Sequence, residues 1–264
     1  MWIKTRMEEI KMIDIHSHIL PGIDDGSKNM EMTIEMLKTA EKCGTQEIIA
    51  TPHYLLEYGE ARIDEVKEYV KELNLVLIEK GINIKVYSGQ EVYFTENIVN
   101  DYENGNIGTL NDSRYMLIEF DMRNYESSIF DYLYELQIKG IVPIIAHPER
   151  YRWLIKNPEL INKFIGEGYL FQLNTGSIEG KFGNEVKKTA QIFLKNNIYD
   201  FVGSDAHNTN STRNTDISEA IKLIDEKNMN KFNVNSKKLI DNYEIKFTGK
   251  TIKKKKVFFW NTFK

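Results

Sequence analysis

Short apolar runs rich in β-branched residues alternate with longer helix-patterned segments through most of the chain, and this alternation limits the fold more than any other feature of the sequence. About seven runs read as strands, at 12–15, 47–50, 84–87, 115–118, 142–146, 170–173 and 201–203. Between them Ile34, Leu37 and Ala40 recur at three-residue spacing before Gly44, and Val66, Val70, Leu73 and Leu77 lead into Gly81. Both segments read as helices covering a sheet. With 264 residues, 41% of them hydrophobic, the chain is long enough for one α/β domain to bury a full core. No internal repeat and no low-complexity linker divides it. The expected organisation is a short N-terminal extension at 1–11, one barrel domain over 12–241, and a basic and aromatic tail at 242–264.

Charge and cysteine content remove several classes of function. A formal net charge of -4 offers no general basic surface for a nucleic-acid backbone, so no nucleic acid is expected as a partner. Cys43 is the only cysteine, which excludes an intramolecular disulfide, a CxxC pair and a cysteine-rich zinc cluster. It also excludes a cysteine phosphatase, which needs Cys-x5-Arg, because the residue six positions after Cys43 is Ile49. The N-terminal segment mixes charges with isolated apolar residues and has no stretch suited to a signal peptide or membrane span. A cytoplasmic location, extending to the inner face of the membrane, is expected. The run 253–256 of lysines followed by Val257, Phe258, Phe259 and Trp260 would allow weak contact with an anionic membrane face.

All five histidines, His16, His18, His53, His147 and His207, fall within a few residues after the apolar run of an expected strand. Four acids hold equivalent places: Asp25, Glu91, Glu119 and Asp205. Side chains alternate across a strand, so His16 and His18 share one face and can converge on one ion. In parallel barrels the loops at the strand C-termini converge on the site. A mixed imidazole and carboxylate set without thiolates suits catalytic Mn²⁺, Fe or Zn²⁺ better than a closed structural zinc site. Asp14 and Asp24 are expected to support these ligands or the loops rather than bind an ion.

The strings Asp14-Ile15-His16-Ser17-His18, Asp24-Asp25-Gly26, Thr51-Pro52-His53, Glu91, Leu117-Ile118-Glu119, Ala146-His147-Pro148-Glu149-Arg150-Tyr151 and Gly203-Ser204-Asp205-Ala206-His207-Asn208 closely resemble the polymerase-and-histidinol-phosphatase (PHP) superfamily. Within it, the ordered set is similar to the bacterial metal-dependent protein-tyrosine phosphatases of capsule and exopolysaccharide gene clusters, over residues from about 12 to about 241. The resemblance implies a distorted (β/α)7 barrel, TIM-like, with a trinuclear site, most often manganese, with Fe, Zn²⁺ or Mg²⁺ as substitutes. It implies His16, His18, Glu91 and Asp205 on one ion, Glu91 bridging to a second held also by Glu119 and His147, and Asp25, His53 and His207 on the third. Arg150 matches an arginine that contacts the substrate phosphate, a task suited to a bidentate guanidinium. Arg213 lies close to the place of a second such arginine but is shifted by one residue.

Three divalent ions would outweigh the four carboxylates and leave a site that favours a dianion such as a phosphate monoester. The expected reaction is in-line attack on phosphorus by hydroxide formed from a water between the ions, with no phosphoenzyme. The expected substrate is a phosphotyrosyl protein, which the resemblance narrows to the tyrosine-rich tail of a membrane-associated polysaccharide kinase. Tyr54, Tyr93 and Tyr151 are candidates to flank the phenol ring. Competing readings are a small-molecule phosphatase such as a histidinol-phosphate phosphatase, a PHP nuclease, and a non-catalytic metal-stabilised binding module. The sequence leaves the oligomeric state open.

Overall fold

The computed structural model describes residues 12–55, 58–210 and 212–253. Its strands are β1 (Met12–Ser17), β2 (Thr45–Ala50), β3 (His53–Leu55), β4 (Gly59–Glu60), β5 (Lys85–Ser88), β6 (Glu91–Tyr93), β7 (Tyr115–Glu119), β8 (Val142–Ile145), β9 (Leu170–Asn174) and β10 (Phe201–Gly203). The helices are α1 (Met30–Lys42), α2 (Ile63–Glu79), α3 (Ile98–Glu103), α4 (Ile129–Ile138), α5 (Arg152–Lys156), α6 (Ile161–Gly166), α7 (Thr175–Glu179), α8 (Asn184–Lys195), α9 (Ser218–Leu223) and α10 (Glu226–Ile240). Short 3-10 turns at Leu110–Asp112, Pro148–Arg150 and Pro158–Leu160 complete the set.

The strands pair in parallel in the orders β1-β2-β5 and β10-β9-β8-β7-β6-β3, with β4 added antiparallel at the β3 edge. Two sheets arise because two barrel strands are each broken in the middle. β2 resumes as β3 after Thr51-Pro52, and β5 resumes as β6 after Gly89-Gln90. Pro52 has no N–H to donate, but its carbonyl accepts from Glu91 N at 3.0 Å, so the two strands stay in register across the break. Gly89 permits the second break, since a Cβ there would lie 2.6 Å from Leu110 Cδ2. Counting each broken pair once gives seven barrel strands, as the resemblance implies. The barrel closes where Ser17 bridges Ala206, with His18 N donating to the Ala206 carbonyl and Asp205 N to the His16 carbonyl, each at 2.8 Å.

β1, β7 and β9 are buried along their whole length, which is why they read as near-continuous apolar runs. α2 turns Ile63, Val66, Val70, Leu73 and Leu77 onto the barrel, the spacing of one helix face. Past Asp241 the chain stays against the barrel: Tyr115 donates its hydroxyl to the Tyr243 carbonyl at 2.7 Å, Ile245 is buried, and Ile252 N donates to Asn162 Oδ1 at 2.8 Å. The expected extension at 1–11 and the basic and aromatic run, apart from Lys253, lie outside the described residues. No helix among the described residues is long and apolar enough to cross a membrane.

Candidate metal centre

The two strand breaks assemble half of the site. His53 opens β3 and Glu91 opens β6, and the parallel register sets these two residues side by side. Glu119 closes β7 beside Tyr93. His147 and Asp205 lie two residues beyond β8 and β10, both in the left-handed region, at φ 31° and φ 51°. Non-glycine residues rarely adopt that conformation, and it costs energy that the surrounding structure must supply. All nine expected ligands meet at this one end of the barrel, and all are buried except Asp25.

Three overlapping groups have donor atoms within 4.8 Å of one another: His16, His18, Glu91 and Asp205; His18, Asp25, His53 and His207; and His53, Glu91 and Glu119. His147 joins the last corner, its Nε2 lying 3.0 Å from Glu91 Oε1 and 3.5 Å from Glu119 Oε1. Glu91 belongs to the first and third groups, and His18 and His53 of the second also lie against it. Its Oε2 has His16 Nε2 at 3.1 Å, and His18 Nε2 and His53 Nδ1 at 3.2 Å, yet hydrogen-bonds to none of them. Imidazole nitrogens crowded round a buried oxygen without hydrogen bonds are arranged as ligands are around a cation. The donor set therefore fits divalent metal.

Outer partners fix the rings. His18 Nδ1 lies 2.7 Å from Asp24 Oδ2, and the same oxygen accepts from His53 N at 3.0 Å. His207 Nδ1 faces the Asp205 carbonyl at 3.0 Å. Asp205 Oδ2 accepts from Asn174 Nδ2 at 2.7 Å, and Asn174 N donates to Glu149 Oε1 at 3.0 Å. Asp14 accepts from His16 N and Ser204 N, joining β1 to the loop after β10. Asp14 and Asp24 thus bond to the rings and backbone around the ligand candidates. The sequence reading did not single out Gln172, Asn174 or Glu149. The signal was present in β9, where Gln172 and Asn174 break an apolar run at alternate positions and so share a face.

Without ions, burial would raise the Glu91 carboxyl, but the His16 and His53 rings hold it well below the usual range. Burial and the neighbouring Glu91 charge push Glu119 well above that range. Burial also opposes ionisation of Asp205, yet Arg213, His16 and Arg150 keep it low. Burial would depress His18, and Asp24 overrides it to raise the ring to about 10. His147 falls to about 4, mainly by burial. Titratable groups pushed apart in this way within one cleft mark a site built for charge.

Both expected arginines reach the centre. Arg150 donates to Asp205 Oδ2 and Arg213 to Asp205 Oδ1, each at 2.7 Å. The one-residue shift at Arg213 does not keep it away. Arg150 also lies over the Phe182 ring, 4.6 Å from its centroid. Tyr151 departs from expectation: it is fully buried, donating to the Ala146 carbonyl and accepting from Phe120 N, so it packs under the His147 turn and cannot flank a substrate. Tyr93 is part-exposed and lines a cavity of about 220 Å³ with Phe94, Phe120 and Asp121, while Tyr54 points its hydroxyl towards Asp101.

Residues 12–244 match the family described as capsular polysaccharide synthesis, CpsB/CapC. The chain is 37% identical over 214 residues to the tyrosine-protein phosphatase YwqE of Bacillus subtilis, covering 81% of this chain and 84% of that one. It is 34% identical over 205 residues to the tyrosine-protein phosphatase CpsB of Streptococcus pneumoniae, covering 76% and 84% respectively. A solved structure from work on YwqE and CpsB, described there as unique metal-dependent tyrosine phosphatases, superposes with a TM-score of 0.86 at 34% identity, over 92% of this chain and all of that one. A histidinol phosphate phosphatase from Lactococcus lactis shares the fold, with a TM-score of 0.50 at 15% identity over 92% of this chain and 99% of that one. The chain belongs to the CpsB/CapC family of capsular polysaccharide synthesis proteins.

Proposed function

We propose that this chain is a metal-dependent phosphatase that hydrolyses phosphotyrosine in proteins and thereby regulates capsular or extracellular polysaccharide synthesis. The observation that carries the reading is the crowding of His16, His18 and His53 round Glu91, which two of the three overlapping donor groups share, with two arginines reaching Asp205 of the same centre. His16, His18, Glu91 and Asp205 would hold one ion, Glu91, Glu119 and His147 a second, and Asp25, His53 and His207 a third, with manganese the preferred metal. When bound, such ions supply Lewis acidity towards phosphate oxygens and a water activated near neutral pH. Arg150 and Arg213 orient the phosphate through charge-assisted hydrogen bonds, and Asp24 holds His18 in place behind it. The part-exposed Tyr93, paired with Glu119 in the sheet, is the candidate to flank a phenol ring. Cys43 takes no part, since its buried thiol is bonded to Asp216 and Ser218.

The expected physiological substrate is the tyrosine-rich tail of a membrane-associated polysaccharide kinase, met at the cytoplasmic face of the membrane, with weak membrane contact by the C-terminal tail. Rates on a phosphotyrosyl peptide and on histidinol phosphate test the substrate class. Preference for the peptide, retained in Cys43→Ser and abolished in His16→Ala, supports the proposal; preference for histidinol phosphate makes the chain a small-molecule phosphatase.

A further inference from the structure

We infer that Gln172 is a positioning residue that sets the tautomer of His16 and, through the same oxygen, pins the turn that carries His147. The inference rests on the metal reading above. Gln172 is fully buried in β9, with β10 between it and His16 on β1. Its Oε1 lies 3.0 Å from His16 Nδ1 and accepts from His147 N at 3.1 Å, while its Nε2 donates to the Leu173 carbonyl at 2.7 Å.

The amide cannot be turned round. Reversed, its NH₂ would face the His147 N–H and its oxygen would face the Leu173 carbonyl, setting donor against donor and acceptor against acceptor. An amide oxygen only accepts, so His16 Nδ1 carries the proton. The other nitrogen, Nε2, keeps the lone pair, and it is the one that lies 3.1 Å from Glu91 Oε2 and 3.6 Å from Asp205 Oδ1.

Gly203 makes the reach across β10 sterically feasible. A Cβ at that position would lie 2.6 Å from His16 Cβ and 2.9 Å from Gln172 Nε2. The adjacent rings of the His-x-His pair are therefore backed unequally, His18 by the Asp24 carboxylate and His16 by a neutral amide. An imidazole backed by a carboxylate is the stronger donor, so Gln172 orients His16 without adding a charge to a centre already rich in acids. The same oxygen restrains the left-handed backbone of His147, tying the first group of donors to the corner around Glu119.

The test uses the full chain labelled with ¹⁵N-histidine and loaded with Zn²⁺, which is diamagnetic. In the unsubstituted protein the spectrum should show His16 protonated at Nδ1, with that proton in slow exchange. Gln172→Met, close in volume, should abolish the protected signal and weaken Zn²⁺ binding by about 10- to 100-fold in calorimetry. Gln172→Glu, in its buried protonated form, keeps a donor for the Leu173 carbonyl and an oxygen that accepts, and should recover the protected proton. His16 found protonated at Nε2 while Zn²⁺ is bound, or a Gln172→Met protein with unchanged signal and affinity, overturns the inference and leaves the metal reading intact. Failure of the unsubstituted chain to bind Zn²⁺ at all overturns the metal reading and this inference with it. If Gln172→Met does not fold, the spectrum of the unsubstituted protein decides.

Discussion

Glu91 and Asp205 at one end of the barrel and Asp200 at the other are buried with opposite results. At the C-terminal end Glu91 and Asp205 are ringed by imidazoles and two arginines, and both stay ionised below the usual carboxylate range. At the N-terminal end Asp200, just before β10, is as deeply buried but meets one cation, Lys231 Nζ at 3.1 Å, and accepts from Phe171 N at 3.2 Å. There burial wins, and the carboxyl rises to about 7. Desolvation opposes charge at both ends, and the number of facing cations decides the outcome. One end gathers more donors than it can satisfy internally, the mark of a ligand site; the other ties strand to helix.

Substitutions that remove a donor at the C-terminal end should have the largest effect. His16→Ala or Asp205→Ala is expected to lower turnover of a phosphotyrosyl peptide by at least about a hundredfold, while Cys43→Ser stays within about twofold. Arg150→Ala and Arg213→Ala should each lower kcat/KM by about ten- to a hundredfold, the scale of one charge-assisted hydrogen bond, with a change of similar size in inhibition by inorganic phosphate. If Arg213→Ala has no effect, its contact with Asp205 is structural only. Stripping metal with a chelator should lower apparent stability by about 3 kcal/mol for each ion held at a hundred times its Kd, read as a fall in Tm that Mn²⁺ reverses.

The smallest effect is expected at the other end. Asp200 has a folded value of about 7, above that of an unfolded aspartate, so its contribution to stability is full below about pH 4 and is lost as pH rises towards 7. Asp200→Asn removes that dependence. Between pH 5 and 8, urea unfolding of the unsubstituted chain should lose on the order of 1 kcal/mol or more relative to Asp200→Asn, with little change in activity. Equal slopes would show that Lys231 holds the carboxylate charged and that the two ends differ less than their partner counts imply.

The seven strands were legible because parallel barrel strands are buried on both faces and so read as apolar runs, and the nine ligand candidates were legible because each follows such a run. What escaped depends on neighbours distant in sequence. Gly89 stands at the break because a side chain there would run into Leu110 and Ile49, which no local pattern records. Tyr151 was one of three aromatic candidates to flank a substrate ring, but the turn carries it inward to bond Ala146 and Phe120. Arg213 seemed misplaced by one residue because spacing was counted along the chain. The carbonyl of Arg213 accepts from both His207 N and Asn208 N, and this turn brings its guanidinium back to Asp205.

Metal analysis of the purified chain, coupled to hydrolysis of a phosphotyrosyl peptide before chelation, after chelation and after Mn²⁺ addition, tests the central claim most directly. The account predicts close to three divalent ions per chain, loss of activity on chelation and its return with Mn²⁺. A chain that binds no metal, or one that cleaves the peptide equally well after chelation, would contradict it.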